Sequence, residues 1–253
     1  MDRPVKNGEN HDDRRTQNRT RLRRCAWNWS SSCTQAGRGW LRRCLHLRVA
    51  TDSASELASS IRGGGGNAVA IRADSADPGA IRAAVSKAVD ELGKLDAVVL
   101  NAGVLRLNTV DAVTLEELDL MINVNIRGVF LAIQAAVAQM KDGGRVITIG
   151  SNTAERTGFQ GSSVYQFTKA AVAAMVKGLA LDLAPRRITV NNVQPGPTNT
   201  DMNAGSIEFL ADRSPLKRVA DPAEIAELVS YLAGPGSAYM TGASLTIDGG
   251  WIL

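Results

Sequence analysis

Tyr165 and Lys169 stand four residues apart in the segment YQFTK. On a helix that spacing puts both side chains on one face, so a phenol and an ammonium can address one ligand. A cation beside a phenol favours the ionised form, lowers its pKa and makes the tyrosine a usable general acid/base near neutrality. Alone the pair carries little weight, because a tyrosine with a lysine one turn on is usually surface. Its company decides. Ser151 ends a strand-like run, RVITIG, 14 residues ahead of Tyr165. Asn101-Ala102-Gly103 ends the strand-like run before that one, and Asp74 ends a still earlier one. Pro195-Gly196, with Thr200, follows the next strand-like run. All these lie at or near one edge of the expected sheet. Asn125 is the exception, since it falls in the middle of a long helical stretch.

The elements that must hold these residues follow from the pattern. Residues 52–62 read as a helix ended by Gly63 to Gly66, and 67–74 as a strand. Residues 77–93 have apolar positions at helical spacing, with Pro78 near the start and Gly93 at the end. LDAVVL (95–100) is a buried strand. One helix is expected over 114–141, opened by Thr114 and Glu117 at capping-box spacing and ended at Gly143-Gly144. Strand 145–150, helix 163–184 and strand 188–193 follow. A helix then opens at Asp221-Pro222, with Asp221 as N-cap, and 244–249 is a last strand. Strands alternating with helices imply an α/β fold, a Rossmann-like doubly wound parallel sheet in a single domain. Ligands collect at the carboxyl ends of such strands.

The ordered set resembles the short-chain dehydrogenase/reductase family over roughly residues 52–253. The text that carries the resemblance is NAG (101–103), VNIRGVF (124–130), IGS (149–151), YQFTK (165–169), VQPGPTNTDM (193–202) and TGASLTIDGG (241–250). In these motifs it is most similar to bacterial 3-oxoacyl-[acyl-carrier-protein] reductase-like members and to the cyclic-di-GMP-binding biofilm dispersal mediators. The resemblance implies a catalytic set of Asn125, Ser151, Tyr165 and Lys169. Tyr165 would exchange a proton with the substrate oxygen, while Lys169 lowers its pKa and holds the nicotinamide ribose. Ser151 would hydrogen-bond the carbonyl oxygen, and Asn125 would hold a water that relays protons to Lys169. Asn101 and Gly103 would line the cofactor, Asp74 would meet the adenine, and Pro195, Gly196 and Thr200 would hold the carboxamide. Segment 199–219 would form a substrate lid, and the terminal strand would lie at the interface of a homotetramer. Each residue also has a bland reading. Ser151 could cap a strand, with Asn152 as its rival. Asn125 could be a packing residue beside Asn123, and Asp74 a turn former.

The first 50 residues depart from this pattern. They hold every cysteine, both histidines and three of the four tryptophans. Residues 17–48 show no strand run and no glycine-rich turn of the kind whose N–H groups approach a pyrophosphate. A frame shift accounts for this. Trp has the single codon TGG, and reading one base later always gives glycine. Trp27, Trp29 and Trp40 then become glycines, and residues 25–29 read [Ala/Val]-Arg-Gly-Ile-Gly or its Thr variant. The expected organisation is an anomalous basic segment over 1–50, disordered or frame-shifted, and a dehydrogenase-like domain over 51–253. The first strand and its turn are expected to be missing or disrupted. In NAD-preferring members an Asp ends the second strand, a position that maps to Leu47. No shifted Leu codon encodes Asp or Glu, which leans toward NADP(H) over NAD.

Bulk numbers set the remaining bounds. The net charge of +4 hides a split. Residues 1–48 hold 12 basic and four acidic residues, whereas the remainder holds 17 and 21. The body is mildly acidic and gives no case for nucleic acid. No apolar run reaches membrane-spanning length, so no transmembrane segment is expected. Cys25, Cys33 and Cys44 with His46 lack the paired spacing of a zinc site, so no metal is expected. The expected partner is a small-molecule carbonyl or alcohol, and the expected compartment the cytoplasm. Three functions fit the resemblance: an NADP(H)-dependent oxidoreductase, a nucleotide-binding regulator on the same scaffold, and a damaged, inactive product of this family.

Overall fold

The computed structural model describes residues 43–48 and 51–253, with side chains from Ala54 onward. Six strands, all paired in parallel, are found among the described residues. Strand β1 (Arg43–Arg48) pairs with β2 (Asn67–Arg72), joined through helix α1 (Thr51–Gly63). A second group runs in the order β3 (Leu95–Leu100), β4 (Met140–Ile149), β5 (Thr189–Pro195), β6 (Ser244–Ile247). Helix α2 (Pro78–Leu92) follows β2 and packs on both β1 and β2. The expected glycine-rich turn falls outside the described residues. The expectation that 17–48 holds no strand is corrected by β1, whose residue types carry no strand signal. Its in-register pairing, Arg43 with Asn67 through Arg48 with Arg72, defines it.

Period-two alternation in the central strands makes the fold doubly wound. On one face Val146 and Val190 pack with Val129 and Ile133 of helix α4 (Val129–Gln139) and Val176 of helix α5 (Ser163–Leu183). On the other, Ile147, Ile149 and Val193 pack with Ile225, Val229 and Leu232 of helix α7 (Pro222–Ala233). A short helix, α6 (Ile207–Arg213), lies within the expected lid.

The stretch expected as one helix over 114–141 has a different form. Helix α3 (Leu115–Ile122) opens on the expected Thr114/Glu117 capping box and runs into a π-helical stretch (Asn123–Gly128) before α4. The helix ends at Gln139, and Gly143-Gly144 lie inside an irregular part of β4. Arg186 explains an end without glycine. Its guanidinium donates to the carbonyls of Val137 (2.8 Å) and Met140 (2.6 Å) at the helix end, the first of which also accepts from the Met140 N–H. An 18-residue window within Leu115–Gln139 has a mean hydropathy of 1.6, and the stretch is long and apolar enough to cross a membrane by length and composition alone. Glu116, Glu117, Asp119 and Arg127 interrupt it, so it is not a continuous apolar run. In this fold the stretch packs against β3, α2 and α5, with Met121 and Ile133 buried.

Gly128 ties the two strand groups together. A Cβ there would run into the backbone oxygen of Ser75, in the loop after β2. Only glycine lets the π-helical stretch lie so close to that loop.

Candidate active site

Lys169 is the buried charge on which the site is built. It lies on α5 with 5% of its surface exposed, and its ammonium donates to the carbonyl of Ile149 at 2.9 Å. Burial pushes its pKa from 10.5 down to about 8. The amine stands 5.7 Å from the centre of the Tyr165 ring, so the helical spacing does bring phenol and ammonium together. Because Ile149 closes β4, the same bond fixes α5 against the strand end that carries Ser151.

Ser151 has extended backbone and caps a single 3-10 turn (Asn152–Ala154) that packs on α5. Its hydroxyl oxygen accepts from the Thr153 N–H at 3.2 Å and is paired with the Thr153 hydroxyl at 2.9 Å. The rival Asn152 turns its amide to Asp248 at 3.2 Å.

Asn125 sits inside the π-helical stretch, 1% exposed. Its Oδ1 accepts from the Val104 N–H at 2.8 Å. Its amide donates to the Val104 carbonyl at 2.9 Å and to the Thr168 hydroxyl at 3.1 Å. Asn125 therefore joins three elements: the loop after β3, its own helix and α5. Asn123 is half-buried, and Asn125 is the residue turned inward. Such π-turns recur at functional sites because they interrupt regular helix bonding.

Gly103 lies between these groups. A Cβ at this position would stand 3.4 Å from the Lys169 amine and 3.6 Å from Asn125 Oδ1. Asn101, half-buried, opens the same loop at the end of β3. Pro195 is buried at the end of β5, and Gly196 donates its N–H to Ile247 at 3.0 Å. A Cβ on Gly196 would meet Asp248. Thr200 is buried and donates to the Thr198 carbonyl at 3.5 Å. Thr198 pairs with Ala220, which closes the base of segment 199–219. Asp74 stands apart, after β2 in the other strand group. It is exposed, and its carboxylate accepts from the Ala76 N–H at 2.8 Å, the geometry of its turn-forming reading.

Two site neighbours escaped the sequence reading. Thr168 and Thr153 are ordinary hydroxyls whose role exists only once Asn125 and Ser151 are placed beside them. Their positions, next to Lys169 and two beyond Ser151, were the available signal.

Comparison with known proteins gives the family. The family model described as enoyl-(acyl carrier protein) reductase matches residues 44–252. The chain belongs to the short-chain dehydrogenase/reductase family. The match reaches back into β1, further than the motifs alone suggested. This dehydrogenase/reductase is 37% identical over 201 residues to the cyclic-di-GMP-binding biofilm dispersal mediator protein of Escherichia coli (strain K12), covering 78% of this chain and 81% of that one. A short-chain dehydrogenase/reductase from Serratia marcescens BCRC 10948 superposes with a TM-score of 0.84 at 44% identity, over 88% of this chain and 93% of the other. The blue fluorescent protein from a metagenomic library, solved in complex with NADPH, superposes with a TM-score of 0.84 at 39% identity, over 89% of this chain and 96% of the other.

Proposed function

We propose that this chain reduces a small-molecule carbonyl, or oxidises the matching alcohol, with NADP(H). The observation that carries the proposal is the buried Lys169 ammonium beside the Tyr165 ring, fixed to the strand end that presents Ser151. The residues fit the ribose end of such a cofactor. Lys169 uses one of its three N–H donors on Ile149, and the missing side chain of Gly103 leaves room beside the amine. Bound NADPH supplies a hydride to the carbonyl carbon.

The chain's own groups handle the oxygen. Ser151 donates a hydrogen bond to it, and Tyr165 delivers the proton. The Lys169 charge favours the phenolate that remains. Both Asn125 amide donors are spent on Val104 and Thr168, so a water that relays protons to Lys169 would use the second lone pair of Oδ1. Asn101 and Gly103 would line the cofactor, Pro195, Gly196 and Thr200 would hold its carboxamide, and Asp74 would meet the adenine. NADP(H) is favoured over NAD by the NADPH-bound structural neighbour and by the Leu47 codon reading.

The reading includes a cytoplasmic homotetramer. Exposed apolar side chains on α5 (Phe167, Leu181) and near the C-terminus (Tyr239, Leu253) support association. Light scattering of the purified chain tests this, with Leu181→Glu expected to lower the oligomeric state.

A nucleotide-sensing role on the same scaffold draws support from the similarity to a protein named as a cyclic-di-GMP-binding mediator. The two readings separate in one experiment, a panel of ketones and aldehydes assayed for NADPH oxidation. The panel is run on the chain as it stands and on a full-length chain with codons 17–50 read in the shifted frame. Turnover in the frame-restored chain supports the reductase. Nucleotide binding with no turnover in either chain supports the sensor.

A further inference from the structure

We infer that Thr153 is a positioning residue that holds the Ser151 hydroxyl as a hydrogen-bond donor to the substrate oxygen. The inference rests on the reductase reading and adds a residue to it. A serine hydroxyl has one proton and two acceptor sites. The Thr153 backbone N–H, which can only donate, fills one of those sites at 3.2 Å. The Thr153 hydroxyl lies 2.9 Å from the same oxygen. A hydroxyl pair can be polarised either way, and the incoming group selects the direction. A carbonyl oxygen only accepts. In its presence the favourable order is Thr153 O–H to Ser151 Oγ, and Ser151 O–H to the carbonyl. Both acceptor sites of Ser151 are then filled, so its proton points at the substrate. A bond accepted by a hydroxyl also strengthens the bond it donates.

The site is built for this order. Ser151 is 8% exposed, so water does not readily substitute for a lost partner. The turn that carries Thr153 is closed by the bond from Ala154 N–H to the Ser151 carbonyl at 3.0 Å. The Asn152 amide is held by Asp248, which keeps the rival side chain away from the serine. Thr153 therefore touches no reacting atom and acts through Ser151.

The test compares Thr153→Val, Thr153→Ser and wild type on para-substituted acetophenones and benzaldehydes with NADPH. It uses the full-length chain in its own and its restored frame. Valine keeps the shape and removes the hydroxyl, and it should lower kcat about threefold to tenfold, the worth of one neutral hydrogen bond. KM for NADPH and the thermal midpoint should stay near wild type. The loss should be larger for electron-donating substituents, whose carbonyl oxygen leans harder on its donor. Serine at this position should restore the rate. A Thr153→Val enzyme with wild-type kcat and substituent dependence overturns this inference and leaves the reductase reading intact. A kcat loss that serine does not restore also overturns it, because packing would then be the cause. Absence of turnover in every wild-type chain overturns the reductase reading and this inference with it.

Discussion

Replacing Lys169 by methionine should stabilise the cofactor-free protein near neutral pH, and the gain should vanish in alkaline solution. The lysine is nearly fully buried, and burial holds its pKa at about 8 against 10.5 in water. That gap is the free energy of keeping the ammonium in place, about 3 kcal/mol. The sign follows from proton counts. Between pH 8 and 10.5 the unfolded chain keeps this proton and the folded chain releases it, so wild-type stability rises with pH across this window. Below pH 8 both states are protonated and the full cost remains. Methionine carries no charge and has no such dependence, but it strands the Ile149 carbonyl, at about 1 kcal/mol. The expected net gain for Lys169→Met is therefore about 2 kcal/mol at pH 7. It should turn into a small loss by pH 10.5. Urea denaturation at both pH values measures it. A difference between the two proteins that does not change with pH would refute the buried-ammonium reasoning. Turnover should be lost in the variant at every pH, so this lysine opposes stability while serving the site.

Gly128→Ala should destabilise the protein by about 1–3 kcal/mol, because its Cβ meets the Ser75 oxygen. Gly178→Ala at an exposed position of α5 meets nothing within 4 Å and should stabilise by up to about 1 kcal/mol; denaturation midpoints of the two variants that move in the same direction would contradict this. Arg218 holds the Glu224 carboxyl down to about 2 from 4.5, where it also accepts from the Asp221 N–H at the start of α7. Its contribution is present above pH 4.5 and is lost as pH falls toward 2, so the thermal midpoint gap between wild type and Glu224→Gln should close over that window. The chain with its own first 50 residues should bind NADPH more weakly than micromolar, and the frame-restored chain should recover affinity; calorimetry decides, and micromolar binding by the former would contradict the frame-shift reading.

Most of the scaffold could be read from sequence because its signals are local. Apolar period and caps marked α2, α3 and α7, and both expected capping boxes or N-caps, at Thr114 and Asp221, are present. What escaped depends on distant partners. Strand β1 exists through its register with β2, the end of α4 through Arg186, and the π-helical stretch through the close approach of Gly128 to Ser75. At the site, the Tyr165/Lys169 pairing followed from helical spacing. The strength of the lysine's perturbation did not, because it comes from burial under residues remote in sequence. Asp74 shows the reverse: a residue type that suits a ligand or a turn is here making the turn.

The most direct measurement compares Tyr165→Phe with wild type in the frame-restored chain, scoring NADPH oxidation on a carbonyl substrate alongside NADPH affinity. Removal of the single phenolic oxygen should lower turnover by at least about a hundredfold and leave the affinity for NADPH unchanged. Equal turnover in the two proteins would show that the proton comes from elsewhere, and the site assembled around Lys169 would not be the reducing centre.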